Sequence, residues 1–186
     1  MKQVFSAKVN AHLLTNEDNP AVYVGTYQKY NEGSLFGAWL DLLTFESYEE
    51  FISICHAVHF DERDPEFMIQ DYMNFDNGHG ISSEWLDRKT FEHVNALADY
   101  DAKEQDVIKE FWHEVDNDLS PSEVLEKLLY VGDLDEFAYE MAEDWLDSIC
   151  FDRHTAEAIR PYFDYNAYAR DLSFELSVTS NYIFQL

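Results

Sequence analysis

The order of apolar and polar positions divides the chain into a strand-rich beginning and a helix-rich remainder. Val4-Phe5-Ser6-Ala7-Lys8-Val9 and Ala21-Val22-Tyr23-Val24-Gly25-Thr26-Tyr27 are rich in β-branched and aromatic side chains, and the loop-forming run Thr15-Asn16-Glu17-Asp18-Asn19-Pro20 separates them. Asn31-Glu32-Gly33-Ser34 makes a second turn ahead of Leu35-Phe36-Gly37-Ala38-Trp39-Leu40-Asp41-Leu42. Together these segments predict a three-stranded antiparallel sheet. Ser47, with Glu50 as its reciprocal partner, signals a helix start, and Phe51, Ile54, Cys55 and Val58 form the apolar stripe of that helix.

Past Asp61 the period becomes helical. Asp101 and Glu104 form a capping box, followed by Val107, Ile108, Phe111, Trp112 and Val115 on one face. Ser120-Pro121-Ser122-Glu123 is a stronger start, with a cap, Pro at the first helical position and Glu at the third. Val124, Leu125, Leu128 and Leu129 continue that helix up to Gly132, after which Asp133 and Glu136 cap the next. A short helix over 155–160 ends at Pro161, Asp164 caps a helix over 165–172, and 174–178 and 182–184 read as strands.

Charge narrows the function classes. The chain has 186 residues, enough for one large domain or two to three small ones, with 38 acidic against 12 basic side chains and a formal net charge of -26. Hydrophobic residues make up 46%, so the chain buries a core and is no disordered acidic tail. A basic nucleic-acid-binding surface is excluded, because phosphates are repelled, and an anionic membrane is disfavoured for the same reason. No apolar run reaches the roughly 18 residues of a membrane helix. Residues 1–10 lack a signal peptide's apolar stretch. With only Cys55 and Cys150, each in an apolar segment, the expectation is a cytoplasmic protein with reduced, buried thiols.

Catalytic and metal motifs do not fit. EF-hand spacing fails from Asp71, where Met73 takes the third position, and from Asp116, where Lys127 takes the twelfth. His56 and His59, three apart on a helix, lack thiolate or carboxylate partners at set spacing. Gly78-His79-Gly80 lacks both the dinucleotide and the P-loop patterns. The reading is of a non-enzymatic protein with no cofactor and no metal.

The carboxylates themselves are the candidate chemistry. On the helix over 134–150, Leu134, Phe137, Ala138, Met141, Trp145 and Ile149 fall on one side. Asp135, Glu136, Glu140, Glu143, Asp144 and Asp147 fall on the other, with no Lys or Arg among them. The preceding helix carries Glu104, Asp106, Glu110, Glu114 and Asp116, broken only by Lys103 and Lys109. Solvated faces ordinarily mix signs, because Glu–Lys pairs one turn apart are mildly stabilising and like charges repel. Two readings fit: a solvated acidic face, and a surface selected for a basic partner. Duplex DNA carries one charge per about 1.7 Å, so -26 matches about 44 Å of duplex.

Three segments resemble the ArdA antirestriction proteins. Val22-Tyr23-Val24-Gly25-Thr26-Tyr27-Gln28-Lys29-Tyr30-Asn31-Glu32-Gly33-Ser34-Leu35-Phe36-Gly37-Ala38-Trp39-Leu40 is similar to their opening Tyr-Asn-x-Gly segment. Asp64-Pro65-Glu66-Phe67-Met68-Ile69-Gln70-Asp71-Tyr72 follows in the right order, as does Tyr162-Phe163-Asp164-Tyr165-Asn166-Ala167-Tyr168-Ala169-Arg170-Asp171-Leu172. Gly132-Asp133-Leu134-Asp135-Glu136-Phe137-Ala138 falls where the family's antirestriction region lies. Residues 1–20 have no counterpart.

The resemblance implies an elongated, curved homodimer of α+β modules that mimics bent DNA. Such a protein occupies the DNA-binding groove of type I restriction-modification enzymes and blocks restriction, and often modification. It implies three modules, an N-terminal α+β module over 1–80, a central helical module over 81–122 and a C-terminal α+β module over 123–186 that makes the dimer contact. The mimic surface is then expected over 99–118 and 133–147: Asp99, Asp101, Glu104, Asp106, Glu110, Glu114, Asp116, Asp118, Asp133, Asp135, Glu136, Glu140, Glu143, Asp144 and Asp147. Tyr30 to Gly33 are read as sheet geometry, and Arg170 with Asp171 as a local pair. The alternative partner is another basic DNA-binding protein, such as a nucleoid-associated repressor.

Overall fold

The computed structural model describes residues 5–74, 85–150 and 152–186. Val4 and Gly78-His79-Gly80 lie outside the described residues. The chain forms two compact units, Met1–Tyr100 and Asp101–Leu186.

In the first unit, β1 (Ala21–Thr26) lies between β2 (Ala38–Asp41) and β3 (Phe67–Met73), all antiparallel. The three-stranded antiparallel sheet is as expected, but its membership is corrected. The segment expected as the first strand is instead the single-turn helix α1 (Ala7–Asn10), closed by the Ser6 side chain accepting from Val9 N–H. Val9 alone of that turn is buried. The place beside β1 belongs to β3, whose adjacent buried pair Met68 and Ile69 breaks the alternation that marks a strand.

Thr26 ends β1 and caps α2 (Tyr27–Asn31), and Gly33 (φ +80°) closes the following turn. A short 3-10 turn over Leu42–Thr44 leads to α3 (Tyr48–Val58). The predicted stripe Phe51, Ile54, Cys55 and Val58 is fully buried. Ser47 accepts from Glu50 N–H, whereas the Glu50 carboxylate takes the N–H of Glu46, so only half of the expected box forms. Phe51 stacks near Phe91 of α4 (Arg88–Leu97), closing the aromatic core. Burial pushes the Cys55 thiol pKa well up, so it behaves as a small hydrophobe.

The second unit opens with α5 (Ala102–Glu114), whose Asp101–Glu104 capping box is present in full. Val107, Ile108, Phe111 and Trp112 are buried, while Val115, at the cap, is exposed. The second box, Ser120 with Glu123, opens α6 (Pro121–Lys127). That helix does not continue through Leu128 and Leu129. Those residues begin β4 (Leu128–Val131), because β6 (Tyr182–Gln185) offers a ladder that a helix cannot use. The sheet order is β4-β6-β5, with β5 at Leu176–Val178. Phe111 of α5 meets Phe184 of β6 at 4.7 Å between ring centroids, so α5 packs on this sheet.

Beyond Gly132 comes α7 (Leu134–Ile149), then α8 (Arg153–Ile159), a 3-10 turn over Arg160–Tyr162, and α9 (Tyr165–Leu172), capped by Asp164 as the sequence predicts. The apolar stripe of α7 is corrected. Ala138, Ala142 and Leu146 are buried, while Met141, Trp145 and Ile149 are exposed. Small residues let α9, with its own buried Ala169, approach α7 closely, which leaves the bulky side chains on the shoulder.

Candidate functional site

The junction of β4 and α7 sets the first half of the acidic helix. Gly132 has φ +147°, and a Cβ there would lie 2.6 Å from the Tyr130 ring and 3.1 Å from Glu136 Oε2. Glycine therefore lets the chain reverse while Tyr130 folds back over α7. Gly132 N–H donates to the Asn181 carbonyl at 2.8 Å, tying the junction to the β5–β6 turn. Asp133 accepts from Glu136 N–H at 2.9 Å, which caps α7 and places anions at its positive end.

Asp133, Asp135, Glu136 and Glu140 line one open cleft of about 500 Å³ with Tyr130 and Tyr139. The lining includes no Lys or Arg. Tyr130 Oη donates to Glu140 Oε1 at 3.0 Å, and this bond to an anion raises the tyrosine's pKa. All four carboxylates are exposed. All four stand on α7 or its cap, so their spacing is set by that helix.

The second half of α7 is arranged differently. Arg160 Nε donates to Glu143 Oε2 and its Nη2 to Asp147 Oδ1, each at 2.5 Å. Tyr165 Oη donates to the other Glu143 oxygen. The Tyr165 bond, aided by Arg160 against partial burial, holds the Glu143 carboxyl below its ordinary pKa. In return the carboxylate pushes Tyr165 up to about 12. Asp144, between Glu143 and Asp147 in this second half, is exposed. Glu143, Asp147, Arg153, Arg160 and Cys150 line a separate cleft of about 600 Å³.

On α5 several of the expected carboxylates serve the fold. Glu110 accepts from both the backbone and the side-chain nitrogen of Asn181 at 2.7 Å. Burial works against its charge, but these bonds outweigh burial and lower its pKa. Glu114 accepts from Ser180, Asp116 from the N–H of Asp118, and Asp101 with Glu104 completes the cap. Asp106 is exposed on α5, and Asp99 belongs to the first unit. The structure thus gathers Asp133, Asp135, Glu136 and Glu140 in one cleft and binds Glu110, Glu114, Glu143 and Asp147 to partners within the chain.

Reading the sequence missed Tyr130, Tyr139, Arg160, Tyr165 and Asn181. The sequence signal for Arg160 is faint: it is the second base, after Arg153, beyond an uninterrupted acidic helix, and it lies at the turn that contains Pro161. The tyrosines have no periodic signal, since two of them come from β4 and α9 rather than from α7.

Among the described residues, no group of three or more His, Cys, Asp or Glu has metal-binding geometry, and no helix is long and apolar enough to cross a membrane. Fold and surface together define an acidic α+β protein whose ordered feature is a carboxylate-lined helix. The family model described as "Antirestriction protein (ArdA)" matches residues 22–184, and the chain belongs to that family of antirestriction proteins. No curated protein matches it.

Proposed function

We propose that the chain is a non-enzymatic DNA mimic that occupies the DNA-binding groove of type I restriction-modification enzymes and inhibits restriction, and modification with it. It acts in the cytoplasm as a homodimer, without cofactor or metal, and without binding nucleic acid itself. The observation that carries the reading is the cleft at the start of α7, where Asp133, Asp135, Glu136 and Glu140 are presented without a neutralising base. Carboxylates fixed on a capped helix present negative charge without the ordering cost of a mobile acidic tail. A groove lined with Lys and Arg binds such an array for the electrostatic reason that it binds phosphates.

Family membership supports the antirestriction role, and the exposed Leu129, Val131, Met141, Trp145 and Ile149 support coverage of the second unit by a second copy. The reading is tested by competition. Purified protein is titrated into a type I methyltransferase bound to labelled duplex DNA, and displacement is expected that weakens as salt rises. Failure to displace DNA at low salt, with the protein folded, removes the mimic reading.

A further inference from the structure

The two halves of α7 are built alike. Glu136 and Glu140 stand one turn apart, with the Tyr130 hydroxyl on Glu140, while Glu143 and Asp147 stand one turn apart, with the Tyr165 hydroxyl on Glu143. They differ in their bases: Arg153 and Arg160 line the second cleft, and none lines the first. The second half already holds a guanidinium, that of Arg160, with both ion-pair distances at 2.5 Å and the arginine side chain only 25% exposed. Arg160 sits where α8 gives way to the 3-10 turn, so its backbone is held by regular structure on both sides.

We propose that Arg160 is a specificity-determining residue of this face: it keeps Glu143 and Asp147 engaged within the chain and confines a partner's cationic side chains to the Asp135, Glu136 and Glu140 half. This rests on reading the α7 face as a surface for cationic groups. The physical reason is competition. A partner's arginine approaching the second half meets two carboxylates already matched by one guanidinium, so it gains the attraction of one net charge rather than two. It also competes with an intramolecular group, whose effective concentration is high. At the first half no base lines the cleft. Loss of any base adds one negative charge, so a specificity role shows as a difference between the two halves at equal charge change, which a purely structural clamp would not produce.

The test uses the full chain and hexa-arginine peptide as a cationic probe, followed by calorimetry at low and high salt with thermal melts in parallel. Arg160→Gln is expected to bind the probe about two- to fivefold more tightly at low salt, the worth of one exposed ion pair. The gain should vanish at high salt. Arg160→Lys, which keeps the charge, should behave as the native protein. Unchanged probe affinity in folded Arg160→Gln overturns the proposal.

If Arg160→Gln does not fold, two double variants of equal charge change decide instead. Asp135→Asn/Glu136→Gln should weaken probe binding about fivefold or more, and Glu143→Gln/Asp147→Asn less than twofold. Equal weakening overturns the proposal. DNA displacement from the methyltransferase is measured on the native protein alongside. Its failure removes the DNA-mimic reading while the Arg160 result stands or falls on the peptide.

Discussion

Lys29 Nζ lies 3.2 Å from His59 Nδ1, and this contact fixes the protonation of the histidine. His59 Nε2 faces the Val24 carbonyl at 3.2 Å, which can only accept, so Nε2 carries the proton and Nδ1 presents its lone pair to the ammonium. The other donors of Lys29 go to Asp61 Oδ1 at 2.7 Å and Glu62 Oε1 at 2.9 Å. Thr26 also donates to Glu62, and the Phe36 ring lies 4.5 Å from Nζ. The Tyr-Asn-Glu-Gly segment turns the chain. The Lys29 before it pins α2 to the end of α3.

The first prediction concerns pH. Burial lowers the pKa of His59 below its ordinary 6.5, and the nearby Lys29 charge adds to this against the Val24 bond. The folded protein then binds fewer protons than the unfolded chain as pH falls below that value, so stability is full above 6.5 and declines on acidification. Asp61, held low by the Lys29 bond, adds a loss of the same sign at lower pH. Lys29 has the opposite sign: burial opposes its charge, Asp61 and Glu62 outweigh burial, and its contribution is lost only above 10.5. Melting temperature measured between about pH 8 and pH 5 should fall on the acid side in the native protein. It should fall less in His59→Gln. Equal slopes would show that His59 does not titrate in this way.

Removing the cation tests the same cluster from the other side. Glu62 has only 7% of its side chain exposed, and its Oε2 has no hydrogen-bond partner among the described residues. Lys29→Met leaves that carboxylate buried and uncompensated, at a cost of about 3–5 kcal/mol. Chemical denaturation should show a loss of this size in the unit that contains Lys29. A loss under about 1 kcal/mol would place the pair among solvent-screened ones.

Local signals were legible in the sequence; signals that depend on distant partners were not. Asp101 with Glu104, Ser120 with Glu123, and Asp164 all cap where the spacing predicts, because a cap is decided within four residues. The buried face of α3 follows for the same reason. Residues 5–9 are too short to separate a turn of helix from a strand, and the choice fell to β3, far along the chain. Leu128 and Leu129 fit a helical period equally well until β6 is present. On α7 the acidic row was legible, but not its division, since Arg160 and Tyr165 arrive from other elements.

Gly132 carries the next prediction. Its φ of +147° is one that side-chain-bearing residues rarely adopt, and the added Cβ would press on Tyr130 and Glu136. Gly132→Ala should cost about 1–3 kcal/mol. The same change should disturb the Tyr130–Glu140 bond, so the raised Tyr130 titration should move back toward its ordinary 10.0. Spectrophotometric titration of tyrosine, compared with Tyr130→Phe, would detect this. An unaltered titration would separate the backbone turn from the cleft.

Self-association is expected to depend on the exposed apolar shoulder of the second unit. Trp145 is 48% exposed and Val131 66% exposed, on α7 and β4 respectively. Sedimentation should give twice the 21.9 kDa chain mass for the native protein. Trp145→Glu with Val131→Asp should shift the population to monomer without lowering helix content by circular dichroism, because neither side chain is in the core. A dimer that survives both changes lies on another surface.

The acidic helix gives the last prediction, and its form follows from which carboxylates serve the fold. Asp133 caps α7, so its loss would confuse contact with stability. Asp135→Asn, Glu136→Gln, Glu140→Gln and Asp144→Asn leave that cap and the Arg160 pairs in place, and the amide oxygen introduced by Glu140→Gln can still accept from Tyr130. Each exposed pair with a partner's base is worth at most about fivefold. A single change should therefore alter DNA displacement from a type I methyltransferase by less than about fivefold. The four together should weaken it by about tenfold to several hundredfold, with a shallower dependence on salt. The matched control replaces Glu110, Glu114, Glu104 and Asp116 on the α5 side, where the carboxylates bond within the chain, and should lower the melting temperature instead. If the α7 set leaves displacement and its salt dependence unchanged, the cationic groove contacts some other part of the surface.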